Sequence, residues 1–120
     1  MGRYISTTGT AGVVTKEVNT TYSASVNDRI LADSTGGAFT ITLPVSTGLL
    51  VNDTIQIIDA TAQAGTNNIT VGRNGALIQG SAEDLTVDLA GAIMTLIYTG
   101  ATYGWIVGCL LYTSPSPRDS

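Results

Sequence analysis

Apolar and polar side chains alternate in short runs from Val13 to Val107, and each run closes on a cluster of turn residues. The clearest spans residues 39–43: Phe39, Ile41 and Leu43 fall on one side, Thr40 and Thr42 on the other. A period of two in β-branched and aromatic residues predicts a strand with one buried face. The turn cluster 34–37 opens this strand, and Pro44 stops it because proline has no N–H to donate to a ladder. Val13, Val14, Thr15 and Val18 predict an earlier strand. Tyr22, Ala24 and Val26 alternate, and residues 29–32 form a second apolar run. Leu49, Leu50 and Val51 are expected to pack inward from a Gly-containing connection. Residues 54–58 (Thr-Ile-Gln-Ile-Ile) predict another strand, followed by a loop of small residues over 60–67.

Asn74-Gly75, flanked by 69–73 and 76–78, predicts a β-hairpin, because both residues tolerate the positive φ of a type I′ turn. Leu85, Val87 and Leu89 alternate with Thr86 and Asp88. The run 92–98 (Ala-Ile-Met-Thr-Leu-Ile-Tyr) is apolar on both sides, which predicts a central strand or one covered by a partner. Residues 105–107 close the sheet. No segment keeps a helical period beyond single turns near 48–53 and 81–84. The expected fold is all-β, a compact antiparallel β-sandwich or barrel of short strands. No fixed internal period is present, which argues against a solenoid.

Composition sharpens this picture. Only 12% of the 120 residues are charged, about half the globular average of roughly 25%. A surface so poor in charge must be built from Thr, Ser, Asn, Gly and Ala, or be covered by neighbours. With 43% hydrophobic residues the chain is not of the disordered class. A net charge of −4 and a pI near 4.3 argue against a nucleic-acid partner, which needs a basic stripe. No apolar run approaches the roughly 20 residues of a membrane helix, so membrane insertion is not expected.

The last residues differ from everything before them. Residues 109–119 hold the only cysteine and two of the three prolines. Every one of them matches a translation of a transposon-end sequencing adapter, as in a metagenomic assembly. The expected organisation is an extended N-terminal arm over 1–12, a β-domain over 13–108 and an artefactual tail over 109–120. The tail is set aside for fold reasoning, and the remaining chain has no cysteine for disulfide chemistry.

Candidate chemistry is sparse. There is no histidine, so the Ser-His-Asp and Cys-His sets cannot be assembled. Asp33-Ser34-Thr35-Gly36 has one residue too many for an aspartic-protease loop and fits a plain β-turn. Lys16 beside Glu17 reads as a solvated lysine. Glu83, Asp84 and Asp88 lack the tight spacing of a calcium loop. No catalytic, cofactor-binding or metal-ligating residue is assigned, and no enzyme activity or cofactor is expected. Two roles fit the aromatic residues Tyr98, Tyr103 and Trp105: a surface contact that stacks on sugars or anchors an interface, or Trp105 and Tyr98 capping the core side by side on adjacent strands.

Several segments taken together carry a resemblance: Asp28-Arg29-Ile30-Leu31-Ala32-Asp33, then 36–44 (Gly-Gly-Ala-Phe-Thr-Ile-Thr-Leu-Pro), Asp53-Thr54-Ile55, 66–75, Ala82-Glu83-Asp84-Leu85 and 98–105. In order and spacing they resemble a small β-domain of tailed-bacteriophage tail-fibre and virion-appendage proteins, over about 25–107. The resemblance implies a structural virion protein for assembly or host-surface attachment. It implies a virion location, a homo-oligomer (commonly a homotrimer) and other virion proteins as partners, with a host surface glycan as a further candidate. It brings no catalytic residues. Two other readings remain beside it: a capsid decoration or head-fibre protein, and a carbohydrate-binding module.

Overall fold

The structure is a computed structural model and describes residues 12–111. Nine strands make up two mixed sheets. The five-stranded sheet has the order β1 (Val14–Val18), β3 (Asp28–Ala32), β5 (Thr54–Asp59), β8 (Ala92–Tyr98), β9 (Trp105–Leu111). The four-stranded sheet has the order β2 (Tyr22–Ser23), β4 (Phe39–Thr42), β6 (Ile69–Gly72), β7 (Leu85–Val87). One 3-10 turn, Ser46–Gly48, follows β4.

The all-β character agrees with the period-two pattern, but the antiparallel expectation does not hold. β1, β3 and β5 run parallel, as do β2, β4 and β6. Only β7, β8 and β9 add antiparallel pairs. Successive strands from β1 to β6 alternate between the two sheets. Each connection carries the chain across the core, and two crossings return it to the first sheet in its original direction. The chain therefore coils, as in a solenoid. Its turns are unequal: Val14 pairs with Asp28 and Arg29 with Gln56, steps of 14 and 27 residues. In the other sheet Tyr22 pairs with Ile41 and Phe39 with Ile69, steps of 19 and 30. Neither sheet closes into a barrel, since β1 and β9, and β2 and β7, remain edges.

One hydrophobic cluster fills the space between the layers. Ile30, Ile55, Ile57, Leu96 and Trp105 enter from one sheet, Phe39, Ile41, Ile69, Val71 and Val87 from the other. The predicted strand 39–43 places Phe39, Ile41 and Leu43 in this core. Two expectations of burial fail nearby: Leu50 and Val51 are exposed, and only Leu49 packs on the core. A hydrogen bond from the Leu50 N–H to the Asp53 carboxylate (2.8 Å) and one from the Asn52 N–H to the Tyr98 carbonyl (2.9 Å) fix this connection as a tight turn, which leaves their side chains outside.

The predicted hairpin is also corrected. Asn74 and Gly75 do take positive φ (50° and 97°), and the Ala76 N–H donates to the Arg73 carbonyl (3.2 Å). The chain then leaves β6 instead of pairing with it. Asn74 Nδ2 donates to the Leu43 carbonyl (2.9 Å) and the Arg73 N–H to Asp84 (2.9 Å). Ile78 bridges Trp105, and the Trp105 N–H donates to the Leu77 carbonyl (2.8 Å). β6 is paired instead by β7. Strand β9 runs past the expected boundary at Gly108 to Leu111, with Cys109 opposite Met94. The arm over 1–11 and the tail over 112–120 lie outside the described residues.

Candidate interaction surface

The three aromatic candidates separate. Trp105 is fully buried and Tyr98 nearly so (0% and 8% exposed). They are cross-strand partners on β8 and β9, with ring centroids 5.5 Å apart and an interplanar angle of 64°. That edge-to-face geometry is a favoured aromatic packing. Both therefore act as core, and a contact-surface role for them is corrected. The indole has no exposed surface and packs edge-to-face on Tyr98, so no ring face is left to stack on a ligand. Tyr103 differs. It sits in the β8–β9 loop at 61% exposure, with its carbonyl accepting from the Gly80 N–H (2.8 Å).

The other sequence candidates are structural. The Gly37 N–H donates to the Ser34 carbonyl (3.1 Å) and the Thr35 N–H to the Asp33 carboxylate (2.9 Å), a β-turn capped by its own aspartate. The Thr35 hydroxyl and N–H hold the Asp33 carboxyl below the usual aspartate range. Lys16 lies 3.8 Å from Asp28 and against the Tyr22 ring; the Tyr22 hydroxyl and the Asp28 charge raise its pKa. Glu83, Asp84 and Asp88 do not converge, and no group of three potential metal ligands occurs among the described residues. No helix among them is long and apolar enough to cross a membrane.

Two buried carboxylates organise the ends of the coil and were not singled out in the sequence. Asp28 accepts from the Tyr22 hydroxyl (2.7 Å) and the Ser25 N–H (2.9 Å). Asp59, at the end of β5, accepts from the N–H groups of Gln63 (3.2 Å), Ala64 (3.0 Å) and Gly91 (2.9 Å). The 60–67 loop is thereby pinned to the β7–β8 turn. The available signals were an acid closing the apolar run of β5 (Asp59) and an acid opening that of β3 (Asp28).

The two outer faces of the molecule differ in chemistry. Outward positions of the four-stranded sheet are Ser23, Thr40, Thr42, Thr70, Gly72 and Thr86, aligned by the strand register. On the five-stranded sheet Leu31, Ile58 and Ile93 stand in one row across β3, β5 and β8. The next row is Thr15, Arg29, Gln56 and Thr95. It is joined by hydrogen bonds from Arg29 Nε to Gln56 Oε1 (3.1 Å) and from Gln56 Nε2 to Thr95 Oγ1 (3.2 Å). Beyond it Ile97 and Ile106 face each other, 40% and 39% exposed. Two shallow clefts open on this side: one of about 360 Å3 beside Glu17, Leu31, Asp33 and Thr61, and one of about 160 Å3 beside Arg29, Gln56 and Thr95. The sequence hid the contrast, because alternation marks a buried face without saying how the opposite face is finished.

The chain matches no protein-family model and no curated protein.

Proposed function

We propose that this chain is a structural part of a tailed-bacteriophage virion, a domain of a tail fibre or similar appendage. It acts by assembling with copies of itself and with neighbouring virion proteins, or by attaching to the host surface, and not by catalysis. The observation that carries the reading is the five-stranded sheet, whose outer face repeats aliphatic side chains in register where the opposite sheet presents hydroxyls. A small domain gains core by association, and a surface that ends in Leu and Ile is suited to being covered. Four of the six segments that carry the family resemblance fall on β3, β4, β5 and β6 with their turns, and the other two lie at the start of β7 and in the β8–β9 connection.

Recovery of the natural gene with its neighbours tests the setting. Baseplate and tail genes beside it are the expected result; an operon with no virion gene contradicts the proposal. Major capsid genes would favour the decoration or head-fibre reading.

Tyr103 supports a second reading, attachment to a host surface glycan, because an exposed phenol on a loop can stack on a sugar ring. Glycan-array binding that is lost in Tyr103→Ala with an unchanged melting temperature is the expected outcome under that reading. Binding untouched by the substitution removes it.

A further inference from the structure

We infer that a second copy of this chain seats on the outer face of the five-stranded sheet. The inference rests on the self-association proposed above and specifies its surface.

Charge selects the occupant. The described residues hold eight acidic side chains (Glu17, Asp28, Asp33, Asp53, Asp59, Glu83, Asp84, Asp88) against three basic ones (Lys16, Arg29, Arg73). Two copies therefore repel at most approaches. On the outward strand positions of this face stand one acid, Glu17, and one base, Arg29. Asp33 borders the larger cleft beside Glu17, so the face offers two carboxylates and one guanidinium. A facing copy can set its Arg29 against the Glu17 and Asp33 carboxylates while its own Glu17 meets the opposite Arg29.

Polar satisfaction points the same way. Burying a polar row is costly when its donors and acceptors lose water. Here Arg29, Gln56 and Thr95 already bond one another along the sheet. Gln56 is thereby satisfied on both amide atoms and Arg29 on Nε, and the Arg29 Nη groups are left for a carboxylate of the facing copy. Leu31, Ile58 and Ile93 on one side and Ile97 and Ile106 on the other leave water at a gain of about 25 cal/mol per Å2. The two clefts on this face offer depressions for side chains of the facing copy.

Sedimentation velocity on a dilution series of the full chain tests the inference with one added charge placed on either outer face. Ile58→Lys is expected to weaken self-association by roughly a hundredfold or more, since it buries an unpaired charge. Thr40→Lys, on the hydroxyl-bearing sheet, is expected to leave it unchanged. Glu17→Arg and Arg29→Glu should each weaken it, and the double exchange should restore it. Dissociation by Thr40→Lys but not by Ile58→Lys overturns the face while leaving self-association standing. A wild-type chain that is monomeric throughout overturns both. Should Ile58→Lys fail to fold, hydroxyl-radical footprinting of the wild type decides. Leu31, Ile58 and Ile93 must become protected on concentration, and unchanged oxidation there contradicts the inference.

Discussion

Gly104 occupies a position where a side chain has no room at all. Its φ is +69°, and an added Cβ would run into the Leu77 backbone. The contact exists because the Trp105 N–H donates to the Leu77 carbonyl, which draws the start of β9 under the 76–78 segment. Gly104→Ala is therefore expected to cost about 3 kcal/mol or more, combining left-handed strain with a backbone clash. Thermal unfolding checks it, and a melting temperature within a degree or so of wild type would contradict the described approach. Trp105→Ala should cost about 3–5 kcal/mol, as for an enclosed large side chain, whereas Tyr103→Ala should leave stability almost unchanged. Equal effects of the two would contradict the division into core and surface.

A second residue-scale expectation concerns acid. Hydrogen bonds to Thr35 lower the Asp33 carboxyl from its ordinary value of 3.8. A lowered carboxylate contributes stability above its unfolded value and loses that contribution as pH falls through its native one. The difference in melting temperature between wild type and Asp33→Ala should be largest near neutrality and shrink below about pH 4. A difference independent of pH would show that the charge plays no part in capping the turn.

At the scale of elements, pairing decides which strands open first. β3, β5 and β8 are flanked on both sides in the five-stranded sheet, and β4 and β6 in the other, whereas β1, β2, β7 and β9 are edges. Amide exchange should be slowest in Ile30, Ile57 and Leu96 and fast in Tyr22 and Ser23 of the two-residue β2. Uniform protection across both sheets would contradict the order.

The same elements show what was legible. Strand positions were readable because Phe39-Thr40-Ile41-Thr42-Leu43 and its counterparts bury every second side chain, and the two-faced 92–98 run did become a central strand. Which strand pairs with which was not readable. A period of two is identical for a strand that hairpins back and for one that crosses to the other layer, so the parallel coil was invisible. Its steps of unequal length left no repeat to detect. Asn74-Gly75 formed its turn, but the Asn74 bond to Leu43 and the pull of Trp105 on Leu77 decided where the chain went next. Among the aromatic candidates, sequence gave no measure of depth: loop-edge position describes Tyr103 and Trp105 equally, yet a paired β9 buries one and a turn exposes the other.

At the scale of the whole molecule, an acidic chain with few charges presents two unlike sheets. One is finished with threonine hydroxyls and the other with aliphatic rows flanking a self-bonded polar ladder. That asymmetry is what the proposed structural role depends on, because a lone subunit would leave Ile97 and Ile106 in water. Size-exclusion chromatography with light scattering on the full chain measures the consequence directly. The account predicts a mass of two or more whole 12.3 kDa subunits. A well-folded species of single-subunit mass at every loading concentration would contradict it.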